Sequence, residues 1–364
     1  MKATAQGRPV RAVHRRWILP LFLVSGATGL IYEVTWMRSL GTVFGNTVYA
    51  ASTVLTAFML GLAIGSWRIG RRADRVTRPV RLYAALELGI GAYGFAFPTI
   101  LGLVDRFYLW FFQTYEPGVY TLNLVRFIVS VLILLLPTAL MGGTLPILSG
   151  FWAASASEKK ATQRTGQGVG YLYAANTFGA VLGTFLAGYY LIRLLGVNAS
   201  IYATATTNLA IASVAWLISL GLGPRAVIAG SAKRKQKGLA SLKERIDREQ
   251  ESPAVYSERI RTIVLGGVLV AGFCGMAMEV LWTRVLVFVL ETSAYAFACM
   301  LTCFILGIAL GSLLSSVVLV PRLKDPIFGF AAIEFALALS LLGSIGMLGW
   351  LWHVDALVLK HVVD

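Results

Sequence analysis

Nine separate runs of apolar residues dominate this chain of 364 residues. A helix needs about 20 apolar residues to cross the hydrocarbon of a bilayer, and each run has close to that length. The predicted spans are residues 17–37, 47–67, 82–104, 124–150, 169–192, 199–222, 263–286, 295–319 and 327–350. The sequence therefore predicts an all-α, polytopic membrane protein with about nine transmembrane helices.

Composition supports a membrane location, since 57% of the residues are hydrophobic and 13% are charged, whereas soluble domains carry about 25% charged residues. The net charge of +15 would suggest nucleic acid in a soluble protein, but basic cytoplasmic loops explain it in a membrane protein, so no nucleic-acid partner is predicted. The three cysteines lie within apolar runs and the three histidines are scattered. No disulfide or metal site is therefore predicted.

Lysine and arginine are distributed unequally between the two ends of the spans. With the N-terminus inside, the segments predicted to be cytoplasmic hold 26 of these residues and only 6 remain elsewhere. The positive-inside rule then places the N-terminal tail, residues 1–16, and the linker, residues 223–262, in the cytoplasm. The apolar run after the basic tail is longer than that of a cleavable signal peptide. We predict a bacterial inner-membrane protein with a cytoplasmic N-terminus.

One stretch of 41 residues occurs twice. Residues 26–66 return without a gap at residues 272–312, with 18 identities. Such duplication is typical of membrane proteins built from structural repeats. It predicts a first repeat of six spans, residues 17–222, and the first three spans of a second, residues 263–350. Residues 351–364 would then begin an outer loop, and the chain would be a fragment of a longer protein.

The two copies share a stripe of side chains on one helix face. Gly26, Gly29, Glu33, Trp36 and Leu40 recur as Gly272, Gly275, Glu279, Trp282 and Leu286. At about 100° per residue, these positions fall within roughly 80° of one another, and this face is expected to point inward. Arg38 and Arg284 point away from the stripe and are expected to reach the outer interface.

Carboxylates inside a membrane are costly and indicate function. Glu33 and Glu279 are therefore candidates for binding a cationic solute or carrying a proton, with Trp36, Trp282 and Asn176 completing the candidate site. Alternatively, each glutamate satisfies backbone groups or a neighbouring arginine inside the bundle. Both interpretations remain open at the level of sequence.

The loop between the second and third spans resembles the G-x-x-x-D-R-x-G-R signature of major facilitator transporters. Gly70, Asp74, Arg75 and Arg78 match it, whereas Thr77 replaces the second glycine and Pro79 a basic residue. Carboxylates and arginines at a helix end can join two bundles through charge-assisted hydrogen bonds. We predict a cytoplasmic latch that also includes Glu87; the alternative is an ordinary basic loop.

Glycine pairs spaced four residues apart occur in three spans, as Gly61 and Gly65, Gly179 and Gly183, and Gly307 and Gly311. This spacing allows close helix contact and predicts packing interfaces. Gly89, Gly91 and Gly94 have the spacing of a dinucleotide loop, but they lie within an apolar span and not at a strand-to-helix turn. No cofactor is therefore predicted.

Taken together, these segments resemble the membrane region of the bacterial fused major facilitator/spermidine synthase family. The residues that carry the resemblance are 25–47, 52–66, 140–148, 173–188 and the loop described above. The resemblance implies a major-facilitator-like helical bundle. In that family a soluble aminopropyltransferase-like domain commonly follows the membrane part, but this sequence contains none of it. The resemblance thus implies transferase activity that these residues cannot perform, and no catalytic residue is predicted.

The resemblance and the paired glutamates lead to one functional hypothesis and two alternatives. The leading hypothesis is the membrane module of a spermidine-synthase-like protein, which anchors the enzyme or handles a polyamine-like solute. The first alternative is a free-standing major-facilitator-type transporter of a small solute, which would be cationic if Glu33 and Glu279 bind it. In the second, a purely structural anchor, both glutamates would be dispensable.

Overall fold

The computed structural model describes residues 12–45, 48–73, 75–154, 161–222, 258–290, 293–319, 322 and 325–363, and all regular structure within these ranges is helical. The helices are α1 Ala12–Phe44, α2 Val48–Ala73, α3 Pro79–Tyr115, α4 Val119–Ala154, α5 Ala161–Leu186, α6 Ile192–Leu195, α7 Val197–Leu220, α8 Glu258–Leu290, α9 Ser293–Leu314 and α10 Pro326–Val363. A π-helical turn, Ala187–Leu191, joins α5 to α6, and another, Ser315–Leu319, follows α9.

Nine stretches within the described residues are long and apolar enough to cross a membrane. They coincide with the nine predicted runs, so the all-α polytopic membrane fold is confirmed. Several helices are longer than the predicted spans. For example, α3 continues through the aromatic segment that follows residue 104 and ends at Tyr115, and α10 continues to Val363, into the segment predicted as an outer loop.

Local sequence explains where several helices begin and end. Gly45, after α1, and Gly196, between α6 and α7, have positive φ values of 85° and 79°, a conformation that glycine adopts without steric cost. Pro79 occupies the first turn of α3, where its missing N–H removes no helical hydrogen bond. Pro137 and Pro146 lie inside α4, which is continuous across both, as membrane helices allow.

The structure divides into two compact units, one formed by residues 1–253 and 277–313 and the other by residues 254–276 and 314–364. In the first unit, the most extensive helix pairings are α2 with α4, α1 with α5, and α3 with α7, followed by α3 with α4 and α1 with α7. The same set of pairings results when α1 is exchanged with α4, α2 with α5 and α3 with α7. Two three-helix groups related by an approximate two-fold axis would pair in this way.

Glycines permit the closest of these helix contacts. A Cβ atom added to Gly65 would lie 1.9 Å from the carbonyl oxygen of Ala139, and one added to Gly183 would lie 2.1 Å from that of Ala27. The predicted packing role of the pairs in α2 and α5 is therefore confirmed. The third pair behaves differently, because a Cβ atom on Gly307 or Gly311 would meet no described atom within 4 Å.

Three apolar clusters fill the first unit. One surrounds Phe22, Tyr83 and Leu148, and another surrounds Trp36, Phe97 and Leu134. A third joins Ile31 and Val34 of α1 to Ala187 in the π-helical turn and to Met300 and Leu301 of α9. In the second unit, Gly267 of α8 faces the ring of Phe330 of α10, 3.3 Å from an added Cβ atom. Most of the second copy of the 41-residue stretch belongs to the first unit.

Candidate functional site

The shared stripe of α1 faces the interior of the first unit. Glu33 is 2% exposed, and Trp36 and Leu40 are fully buried. Gly26 lies against α5, where an added Cβ atom would be 2.1 Å from the carbonyl oxygen of Asn176. Because small residues let two backbones approach, Gly26 holds α1 close to α5 and Glu33 lies two helical turns further along.

Glu33 and Glu279 are both buried in the first unit, and each is 2% exposed. Their helices meet in one apolar cluster, where Ile31 and Val34 of α1 pack with Trp282 and Leu286 of α8. In each carboxylate the Oε1 atom is buried and has no hydrogen-bond partner. The two copies of the repeated stretch thus contribute one buried acidic group each, and these two residues are called the carboxylate pair.

No positive charge offsets this pair among the described residues. Arg38 and Arg284, the basic residues of the same two copies, are both exposed. Nearby hydroxyl groups are used within their own helices, since Thr283 donates to the backbone oxygen of Glu279 at 2.8 Å and Thr35 donates to that of Ile31 at 2.8 Å. Two like charges in an apolar interior repel each other strongly, so the pair is chemically suited to hold a proton or a bound cation.

An apolar cluster beside Glu33 joins α1 to the helices of the second copy. The cluster around Ile31 and Val34 also includes Trp282 and Leu286 of α8, which are half-buried. The π-helical turn after α5 approaches α9, where an added Cβ atom on Gly188 would lie 2.2 Å from the Cβ of Ala298. π-Helical turns are frequent at functional sites. Ala187 of this turn packs with Ile31 and Val34, which lie close to Glu33 in sequence.

Trp36, Trp282 and Asn176, which were predicted to share a site with the two glutamates, lie in different surroundings from one another. Trp36 stacks on Tyr32 and Phe97, with ring centroids 4.7 and 4.9 Å away, and its buried indole nitrogen has no hydrogen-bond partner. Trp282 belongs to the other cluster, with Ile31 and Val34. Asn176 is half-buried, and its backbone faces Gly26. The two glutamates are therefore both buried, whereas the two tryptophans belong to different apolar clusters.

The proposed latch residues do not form one group among the described residues. Gly70 faces Pro146 of α4, which would lie 3.5 Å from an added Cβ atom, and Arg75 and Arg78 are exposed. Asp74 lies outside the described residues. Glu87 is nine residues beyond Arg78 and fully buried, about 13 Å further along α3 at 1.5 Å per residue. The latch remains a prediction for the loop itself.

Glu87 is the centre of a second buried polar cluster. Ser25 of α1 donates to its Oε1 at 2.5 Å, and Asn208 of α7 donates to its Oε2 at 2.6 Å. The hydroxyl of Tyr83 lies close to Ser25 and Glu87 without a hydrogen bond of standard geometry. Sequence reasoning identified Glu87 but missed both donors. Ser25 and Asn208 could have been noticed as polar residues within apolar spans. The sequence does not show that both of them contact Glu87.

We expect Glu87→Ala to lower the free energy of unfolding by about 2–3 kcal/mol, because it leaves the Ser25 and Asn208 donors unpaired in a buried site. Glu87→Gln should cost less than half as much. The Oδ1 atom of Asn208 has no partner, so rotation of that amide would let it accept from the new amide nitrogen. Denaturant unfolding followed by circular dichroism checks this order, and equal losses in the two variants would contradict it.

Among the described residues, no group of three or more histidines, cysteines, aspartates and glutamates could hold a metal ion. The unpartnered carboxylate oxygens of Glu33 and Glu279 can instead accept hydrogen bonds from a cation or carry a proton. Comparison of the chain with protein-family models, with curated proteins and with solved structures finds no match.

Proposed function

We propose that this chain is the membrane module of a spermidine-synthase-like protein, and that Glu33 and Glu279 bind a small, polyamine-like cation. The single observation that carries the proposal is the buried pair of carboxylates, each with an unpartnered oxygen. An acidic side chain at the centre of a membrane helix costs about 3 kcal/mol, and a second one nearby adds repulsion. A chain with both must offset their charge with a bound cation or remove it by protonation.

A polyamine fits the chemistry of this pair. An ammonium group carries three donors and no acceptor, and its hydrogen bonds to carboxylates are about twice as strong as those between neutral groups. The free oxygens of Glu33 and Glu279 can each accept from an ammonium group, and a polyamine carries more than one such group. The apolar neighbours, including Val34 and Leu301, suit the methylene segments of such a solute. The resemblance to the fused family supports the choice of solute and a location in the bacterial inner membrane, and the distribution of lysine and arginine supports a cytoplasmic N-terminus.

A second candidate function is a free-standing transporter of the major facilitator type. The observation in its favour is the set of helix pairings in the first unit, which is unchanged when α1–α3 are exchanged for α4, α5 and α7. Halves built from two three-helix groups are typical of those transporters. The two functions share the carboxylate pair and differ in whether the solute crosses the membrane.

Binding of labelled spermidine to the purified full chain in lipid nanodiscs tests the proposal. We expect Glu33→Gln and Glu279→Gln each to weaken binding at least about tenfold and the double variant to abolish it, because loss of a buried charged partner costs about 2–5 kcal/mol. Glu116→Gln is the matched control, since Glu116 is exposed between α3 and α4. Unchanged binding in the double variant would remove the site assignment.

Uptake of the same solute into proteoliposomes separates the two functions. Binding without uptake favours the membrane module of an enzyme. Uptake that disappears in the Glu33→Gln, Glu279→Gln double variant favours the transporter.

A further inference from the structure

A groove with apolar walls and two arginines lies on the first unit, where α2 ends and α3 begins. Its volume is about 380 Å³, within the range of about 300–1,000 Å³ typical of small-molecule sites. The walls include Ile64, Ile69, Leu136 and Leu140, and the charged residues that line it are Arg68 and Arg72. None of these residues belongs to the carboxylate pair or to the Glu87 cluster.

Helix packing fixes the walls of this groove. Gly65 and Ala139 both line it, and the backbones of α2 and α4 come close together there, with 1.9 Å between an added Cβ atom on Gly65 and the Ala139 oxygen. Leu136 is 59% exposed beside that contact. The apolar wall therefore rests on closely packed helices, and part of it is exposed at Leu136.

The two arginines lie on one face of α2 because they are four residues apart. Both are exposed, and the structure gives neither an ion pair within its described residues. Arg71, between them in sequence, points elsewhere, since its guanidinium lies 4.7 Å from the ring centroid of Trp67 and it does not line the groove. The apolar wall of the groove thus ends at Arg68 and Arg72, whose aliphatic stems line it, at a helix end that the charge distribution predicts to be cytoplasmic.

We propose that this groove is a binding site for an anionic phospholipid, with the phosphate between Arg68 and Arg72 and an acyl chain along the wall formed by Ile64, Leu136 and Leu140. Guanidinium groups bind phosphate oxygens in a fixed, two-pronged geometry. Basic pockets between membrane helices on the cytoplasmic side are suited to acidic headgroups. The inference is independent of the carboxylate pair and of any solute bound there.

Native mass spectrometry of the full chain, released from a neutral detergent after incubation with phosphatidylglycerol or phosphatidylcholine, tests this site. We expect the wild-type protein to retain phosphatidylglycerol preferentially, and the Arg68→Gln, Arg72→Gln variant to retain roughly tenfold less of it. The matched control, Arg71→Gln with Arg75→Gln, removes the same charge from exposed residues outside the groove and should behave as wild type. Equal losses in both double variants would overturn the proposal in favour of a general charge effect.

Two further arms separate the headgroup from the acyl chain. Leu136→Trp fills the exposed part of the wall while both arginines remain, and it should lower phosphatidylglycerol retention without unfolding the protein, as checked by circular dichroism. Inorganic phosphate at millimolar concentration should displace the lipid poorly. Full displacement by phosphate, together with normal retention in Leu136→Trp, would show a simple anion site and overturn the lipid assignment.

Discussion

Replacement of Gly26 by leucine is expected to prevent α1 and α5 from packing and to leave most of the protein aggregated. A Cβ atom at this position would lie 2.1 Å from the carbonyl oxygen of Asn176 and 2.8 Å from its carbonyl carbon. Both are backbone atoms, so no side-chain rotation relieves the collision and the two helices must separate. Overpacking in a rigid core costs about 1–3 kcal/mol and occasionally more, and separation of two membrane helices belongs at the upper end of that range. Fluorescence-detected gel filtration of the detergent-solubilised protein measures the folded fraction.

Gly29→Leu is the matched control for this result. Gly29 lies on the same helix and in the same stripe, but a Cβ atom there would meet no described atom within 4 Å. The same leucine should therefore leave the folded fraction close to that of wild type. If both variants lost the same amount of folded protein, the cause would be leucine in α1 generally and not the contact with Asn176.

The sequence was sufficient to predict the number of spans and part of their packing. Apolar length alone decides whether a helix crosses a bilayer, which is why all nine spans were identified. The glycine spacing in α2 and α5 predicted interfaces that the structure contains, at Gly65 and Gly183. The same spacing at Gly307 and Gly311 meets no described neighbour, because a small-residue pair permits close packing without specifying a partner.

The candidate sites could be predicted only in part, because helical periodicity gives the face of a residue and not its neighbours. Glu33 and Glu279 were expected to face inward, and both are buried, but the residues around each of them depend on how the two copies pack. The hydrogen-bond partners of Glu87 are even harder to predict from sequence. Ser25 precedes it by 62 residues and Asn208 follows it by 121, so the hydrogen bonds exist only because α1, α3 and α7 are adjacent.

The repeated tryptophans also show that equivalent positions in the two copies can have different surroundings. Trp36 and Trp282 occupy equivalent positions in the two copies, yet Trp36 is fully buried between Tyr32 and Phe97 whereas Trp282 is half-buried. We expect Trp36→Ala to lower the free energy of unfolding by about 3–5 kcal/mol, which is usual for a buried tryptophan, since it removes two stacked ring contacts and leaves a cavity. Trp282→Ala should cost less than half as much, because less of its surface is buried. Denaturant unfolding followed by circular dichroism measures both, with spermidine binding measured on the folded fraction. If Trp36→Ala kept normal stability and lost spermidine binding, Trp36 would be a residue of the solute site and not of the core.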